Sequence, residues 1–300
     1  ATGLGCATCG QQTTLKLAGD VYQPGGVLGV CWINASGALL SSVNRAPLKS
    51  ISDGNPQSFW EAPVTIEAAN ASDVGYAYLP NGRAYLCYDL SGAKKYRTND
   101  QMGGGPVGNW SASGTPSPAV SRHSQSGRGQ AQGWRLRALG NSISTNGNIE
   151  FSQCGDLQGA TWTSPVTVVS GARGPWCGGV WLNNGYGCLY TRDADNHIYW
   201  LRTDNPDSWP AGPGTDTTFV GQVIGLAQAD HGCLVGVFWD NGTGTGGTMR
   251  CYGLRSRDNG LTWEKDSSSI ANVPAMSNPP VVLRFGYAIF IVWVTNDAPQ

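Results

Sequence analysis

Charge is scarce in this sequence. Asp, Glu, Lys and Arg make up 13% of its 300 residues, and the formal net charge is −1. A nucleic-acid surface needs a basic stripe to displace counterions, and none is present, so no nucleic-acid partner is expected. Helical patterning is missing as well, because Gly or Pro interrupts every candidate i, i+3, i+4 apolar stretch. The longest apolar run, Tyr287 to Val294, has 8 residues; it is too short to span a bilayer as a helix and reads as a buried strand. No membrane insertion is expected. The first ten residues lack the charged and apolar regions of a signal peptide. Since the chain opens on Ala1 and not on Met, loss of a leader is expected, which would place the protein outside the cytosol. His occurs three times, at 123, 197 and 231, and Glu four times, at 61, 67, 150 and 264. No G-x-x-x-x-G-K-[ST] stretch exists, so the Gly runs at 103–105 and 242–247 read as turns, and no cofactor is expected.

What the chain has in excess is Gly (43), Trp (12) and Cys (9), with 40% apolar residues, too many for disorder. That mixture suits many short strands joined by tight turns. A repeat supports this. Trp60, Trp110, Trp162, Trp209 and Trp263 follow one another at intervals of 50, 52, 47 and 54 residues. Each follows a polar turn with an Asp and precedes a short Ser/Pro/Ala-containing stretch. Three strand-like runs lie upstream; before Trp263 they are Val223–Gln228, Cys233–Trp239 and Met249–Ser256. A Gly recurs before the second run of each repeat, in A-S-G-A-L-L, P-N-G-R-A-Y-L, N-N-G-Y-G-C-L, D-H-G-C-L-V and R-F-G-Y-A-I-F, as a hairpin requires. Four strands per ~50 residues is the unit of a propeller blade. Joining the two ends leaves room for two further periods, so the expected fold is all-β: one six-bladed β-propeller domain over residues 1–300, with four-stranded blades. Its last blade would pair C-terminal strands with strands from residues 1–19, hiding both edges. Residues 118–147 show no clean first hairpin.

Ser256-Arg257-Asp258-Asn259-Gly260-Leu261-Thr262-Trp263 resembles the S-x-D-x-G-x-T-W Asp-box (BNR repeat) of sialidase-like propellers. Looser copies run from Asp53 to Trp60, Asp100 to Trp110, Asp156 to Trp162 and Asp204 to Trp209. The resemblance implies a scaffold role. Ser and Asp would satisfy turn amides between third and fourth strands, and each Trp would pack between blades, on the face away from any site. It also raises the question of a sialidase centre, which has three carboxylate-gripping arginines, a Tyr–Glu nucleophile pair and an Asp acid. Arg45-Ala46-Pro47 is a poor match to the family's first Arg motif, and the sequence places no Tyr–Glu pair, so no catalytic residue is assigned.

In this architecture ligand sites form on the face opposite the box turns. The residues expected there are Asp20, Arg45, Glu67, Asp73, Arg173, Trp176, Asp193 and Asp195. Arg173-Gly174-Pro175-Trp176 stands out, because a Trp can stack on a sugar ring while a guanidinium bonds its hydroxyls or carboxylate. Asp193-Ala194-Asp195-Asn196 is similar to the start of a calcium loop, yet a β-turn explains it equally well. Asp195–Trp200 also resembles repeats of six-bladed fungal lectins, although the Arg and Glu that hold sugar there do not recur blade by blade. Cys177 with Cys188 and Cys233 with Cys251 flank hairpins and are candidate disulfides; Cys6-x-x-Cys9 lacks a second such pair, and no metal is expected. The function expected is a non-enzymatic recognition propeller on a cell or virion surface, binding a glycan or a protein receptor. The alternatives are an exo-glycosidase of sialidase type and a structural or decoration protein of a larger assembly.

Overall fold

The computed structural model describes residues 12–20, 27–34, 36–44, 60–78, 83–100, 108–116, 124–129, 133–141, 147–154, 156, 160–182, 185–228, 233–240, 250–267, 281–285 and 288–292. Among these there is no helix, and 21 strands form six antiparallel sheets. The first holds β1 (Gln12–Asp20), β2 (Val27–Asn34), β3 (Leu39–Asn44) and β4 (Val64–Glu67). The second holds β5 (Ala71–Tyr78), β6 (Ala84–Leu90) and β7 (Ala93–Asn99). In place of a fourth strand it has an isolated bridge between Tyr96 and Gly114. The third holds β8 (Ser124–Gly129), β9 (Gly133–Asn141), β10 (Asn148–Gln153) and β11 (Val166–Ser170). The fourth holds β12 (Ala172–Leu182), β13 (Gly185–Arg192), β14 (His197–Thr203) and β15 (Thr215–Val220). The fifth holds β16 (Gln222–Gln228), β17 (Leu234–Asp240), β18 (Arg250–Ser256) and β19 (Glu264–Lys265), and the sixth β20 (Val281–Phe285) and β21 (Ala288–Val292).

The first strand of each sheet touches that of the next: β1 meets β5, β5 meets β8, β8 meets β12, β12 meets β16, β16 meets β20, and β20 meets β1. β6 and β13, one position further out, are buried on both faces, and their sequences show it. In A-Y-L-C-Y-D-L of β6 and G-Y-G-C-L-Y-T-R of β13 the usual alternation of polar and apolar residues disappears. The core is therefore a series of clusters between neighbouring sheets. Ile33, Leu39 and Val43 face Val74, Leu86 and Tyr88; Tyr85 and Cys87 face Cys154 and Trp162; Phe151 and Val169 face Tyr186 and Tyr190; Leu189 and Trp200 face Phe238 and Leu254. Each such large side chain contributes about 1.5–3 kcal/mol by leaving water.

The 256–263 turn explains the repeated tryptophans. Asp258 Oδ1 accepts from Thr262 N at 2.9 Å and from Ser256 Oγ at 2.8 Å, while Gly260 N donates to Ser256 Oγ at 2.7 Å. The bonds from Thr262, hydroxyl and amide, hold the Asp258 carboxyl down at about 2. Trp263, its indole N–H on Gly260 O, then meets Trp200 of the fourth sheet edge-on, with centroids 5.5 Å apart. Gly is required at 187 and 260, because a Cβ there would stand 1.9 and 2.1 Å from the Trp200 ring. Trp209 packs on Phe151 of the third sheet, Trp162 on Tyr85 of the second, and Trp110 against the core between the first two.

Several expectations are corrected. β1 pairs with β2 as the first strand of its own sheet and does not complete the sixth. Gly37 therefore lies between second and third strands, not in a first hairpin. The third sheet does have a first hairpin, β8–β9. Asp156 accepts amide bonds from Ala160 and Thr161, as the resemblance implies, but Ser152 bonds Thr163 instead. Asp204 does not serve its turn: it is exposed on Arg202, and Thr203 Oγ1 and Asn205 Oδ1 bind the amides. Asp100 is exposed, Trp60 bridges Asn44, and Asp53 lies outside the described residues.

The disulfides are also corrected. Cys177, Cys188, Cys233 and Cys251 form no disulfide. Cys177 opposes Tyr190 and Cys188 opposes Gly179, so the two cysteines are diagonal, and such Cα atoms stand about 7–8 Å apart, beyond disulfide reach. Cys233 precedes Leu234 at one end of the β17–β18 ladder while Cys251 opposes Trp239 near the other, roughly 15–20 Å away.

Candidate functional site

One end of the sheets gathers every described connection from second to third strand and from fourth to the next first strand. A repeated backbone clasp ties these together. Ala71 N donates to Gly37 O at 2.9 Å, and Ser91 N to Asn70 O at 3.1 Å. One period pair later, Ala172 N donates to Gly147 O at 2.7 Å, and Asp193 N to Gly171 O at 2.9 Å. The clasp needs left-handed backbone, which Asn70 (φ 62°), Gly147 (φ 85°) and Gly171 (φ 78°) supply.

Against this regular frame the first strands are bulged close to their starts. Between Ser72↔Asp89 and Val74↔Tyr88 a single residue, Asp73, is extra; Thr13 of β1 and Ile224 of β16 occupy equivalent one-residue bulges. In β12 the pairs are Ala172↔Arg192 and Cys177↔Tyr190, so Arg173, Gly174, Pro175 and Trp176 all oppose the single residue Thr191. The fourth sheet thus carries two more residues here than the second. Its turn from second to third strand, Asp193–Asn196, has four residues, as the first sheet's does, against two in the second. The bulge opens beside that turn, one residue past the Ala172↔Arg192 pair. In repeat architectures insertions of this kind collect on the binding face, and bulges cluster beside functional sites.

The side chains at this end form a polar, part-exposed network. Tyr199 Oη donates to Asp195 Oδ2 at 3.0 Å, and Arg192 Nη1 reaches Asp195 Oδ2 at 3.3 Å and Tyr199 Oη at 3.2 Å. Arg192 also stands 5.5 Å from the Tyr199 ring centre, and Tyr199 stacks on Tyr190. The Tyr199 hydroxyl, then Asp195, keep the Arg192 guanidinium firmly protonated. Partial desolvation opposes ionisation of Asp195, but bonds from His197 N, Tyr199 and Arg192 outweigh it and lower its pKa. A carboxylate held ionised is a hydrogen-bond acceptor, not a general acid. The alternating oxygens of Asp193–Asn196 thus belong to an Asx turn, with Asp195 Oδ1 on His197 N at 3.0 Å. Next to it, His197 Nδ1 lies 3.0 Å from Asp216 Oδ2, whose Oδ1 accepts from Thr218 N; Thr218 is a β-branched residue at φ 67°. Asp193 is exposed; Arg173 is half-buried and has no ion-pair partner among the described residues.

The structure places Arg173 and Trp176 in one bulge of β12, opposite Thr191, and Asp193 and Asp195 in the turn that follows Arg192. Asp73 sits at the matching bulge of the second sheet. Arg45 lies outside the described residues. Asp20, at the far end of β1, belongs to the opposite face. Glu67, the last residue of β4, stands at this end too, but between the first two sheets, and it is occupied. Its Oε1 accepts from Tyr88 Oη at 2.5 Å, Arg97 Nη2 at 2.7 Å and Arg97 Nε at 3.0 Å, and Arg97 Nη1 bonds Ser111 O. This is a Tyr–Glu pair that the sequence did not disclose. Tyr88 is fully buried between the first and second sheets, and burial, then the Glu67 bond, push its pKa far up. That makes the trio a cross-sheet tie, not a nucleophile. Arg192 and Tyr199 were missed; the only signal for them was the polar-aromatic run R-D-A-D-N-H-I-Y-W.

No protein-family model and no curated protein matches the chain by sequence. Solved structures do match by shape. The chain is similar to the Aleuria aurantia lectin in complex with Fucα1-6GlcNAc, with TM-score 0.63, 14% identity, and 94% of this chain and 89% of that one covered. Another structure of that lectin, described as a six-bladed β-propeller with a novel fucose recognition mode, gives TM-score 0.63 and 13% identity over 94% and 88%. A Penicillium chrysogenum α-L-arabinanase complexed with arabinobiose gives TM-score 0.54 and 15% identity over 75% of each chain. At these identities the likeness shows the fold, a β-propeller.

Proposed function

We propose that this chain is a six-bladed propeller of Asp-box type that binds a glycan without turning it over, at the end of the fourth sheet where Arg173–Trp176 bulge beside the Asp193–Asn196 turn. That bulge carries the reading: where β1, β5 and β16 each hold one extra residue, β12 holds three, beside the Arg192–Asp195–Tyr199 network. A guanidinium, a carboxylate and a phenol bonded to one another match the alternating donors and acceptors of sugar hydroxyls. The shape neighbours lend support, since a fucose-binding lectin matches nearly the whole chain. An extracellular position, on a cell or virion surface, belongs to the same proposal. An exo-glycosidase is disfavoured because Tyr88 is buried and Asp195 is held ionised.

The test replaces Arg173–Trp176 by Ser-Asp, the pair that fills the corresponding stretch of β5. On a glycan array the parent chain should bind a defined set of spots and the shortened chain none, while both melt alike. A parent that binds nothing, or a shortened chain that binds as the parent does, overturns the proposal. Release of a fluorogenic sialoside or arabinoside by the parent overturns the non-enzymatic part.

A further inference from the structure

Resting on that reading, we infer that the glycan is anionic and that Arg173 reads its charge. Arg173 follows Ala172, which opposes Arg192, so the two arginine Cα atoms lie within about 9 Å. Both guanidinium groups can therefore reach one bound group. Their states differ. Arg192 is matched by Asp195, with Tyr199 bridging. Arg173 is half-buried, and no described carboxylate lies within ion-pair distance of it. Asp193, two residues before Asp195, is the other nearby carboxylate; it is exposed and its amide is tied to Gly171 O. A half-buried guanidinium has lost part of its hydration, and it shares its rung with a second cation. A carboxylate or sulfate from the ligand supplies both the missing counter-charge and acceptors for the planar fork.

The inserted backbone adds to this. Four residues oppose one, so the ladder cannot pair them all, and amides left out of a ladder suit an anion. Pro175 alone in the bulge has no amide to offer.

The experiment is an array of matched neutral, carboxylated and sulfated glycans on the same core, probed with the parent chain, Arg173→Gln and Arg173→Lys. Anionic spots should bind at least about tenfold more tightly than their neutral counterparts, the strength of one charge-assisted hydrogen bond. Arg173→Gln should abolish the preference and Arg173→Lys should keep part of it, with melting temperatures unchanged. Selective binding of carboxylated or of sulfated spots supports the inference either way and identifies the anion. Equal binding of neutral and anionic spots, unmoved by Arg173→Gln, overturns the inference and leaves glycan binding standing. Silence across the array overturns both.

Discussion

The Glu67–Tyr88–Arg97 trio allows a sharp test of what holds neighbouring sheets together. Its place between first and second sheets has a counterpart between third and fourth. Leu39 opposes Glu67 as Ile149 opposes Val169; Val74 opposes Tyr88 as Cys177 opposes Tyr190; Leu86 opposes Arg97 as Cys188 opposes Leu201. The same slot is thus filled once by Glu, Tyr and Arg and once by Val, Tyr and Leu. Side chains of Glu67 and Arg97 are 15% and 20% exposed, so each charge depends on the other. Arg97→Leu alone should cost about 3 kcal/mol, because it strands a carboxylate with only a phenol, and Glu67→Val a similar amount. The triple change Glu67→Val, Tyr88→Phe, Arg97→Leu removes both charges and the hydroxyl that would lose its acceptor. It should lie within about 1 kcal/mol of the parent. For a chain of this size each kcal/mol moves the melting temperature by about 2 °C, so singles should melt about 6 °C lower and the triple variant within about 2 °C. Differential scanning calorimetry on the four proteins decides it. A triple variant as unstable as the singles would refute the reasoning, since the slot would then need its polar trio for packing or register.

Acid should loosen the 256–263 turn: Asp258 is lowered from 3.8 to about 2, so what it contributes is complete above about 4 and lost as pH falls through about 2. NMR of the Thr262 amide should show this, and Asp258→Asn should remove the pH dependence in that window. Gly187→Ala, which drives a Cβ to 1.9 Å from the Trp200 ring, should destabilise by at least about 1–3 kcal/mol, seen as a lower urea midpoint. Cys177 and Cys188 should resist iodoacetamide until the chain unfolds, as mass spectrometry of labelled peptides would reveal; burial, then Cys177, holds the Cys188 thiol protonated. Native labelling of Cys188 would contradict its place in the core.

Fold was legible in the sequence where packing forces the residue. Trp162, Trp209 and Trp263 recur because each fills the gap to the preceding sheet, and a gap that recurs every ~50 residues prints a period. The Asp positions were less legible. Asp258 and Asp156 take turn amides, but at 204 Thr203 and Asn205 do the same work, so counting back from Trp209 picks the wrong residue. Chain ends were misread because pairing is long-range: nothing in Q-T-T-L-K-L-A-G-D says whether β1 joins its own hairpin or the far terminus. The cysteine pairs failed on register alone, since a shift of two residues separates flanking a hairpin from facing across it.

The candidate site was half visible for a related reason. Arg173–Trp176 reads as a loop from its Gly and Pro, and Asp193–Asn196 reads as a turn. Their coincidence does not, because they lie on different strands and meet only through the pairing of Ala172 with Arg192. A repeating scaffold makes such a meeting informative. Where the clasp recurs, a single-residue bulge is part of the design, shared by β1, β5 and β16. Three extra residues on β12 are not, and they cost ladder bonds that the other first strands keep. Stability favours the shorter bulge, which the same sequence uses elsewhere. What the longer one gains has to be sought outside the fold, in a ligand held against Arg173 and the Arg192–Asp195–Tyr199 trio.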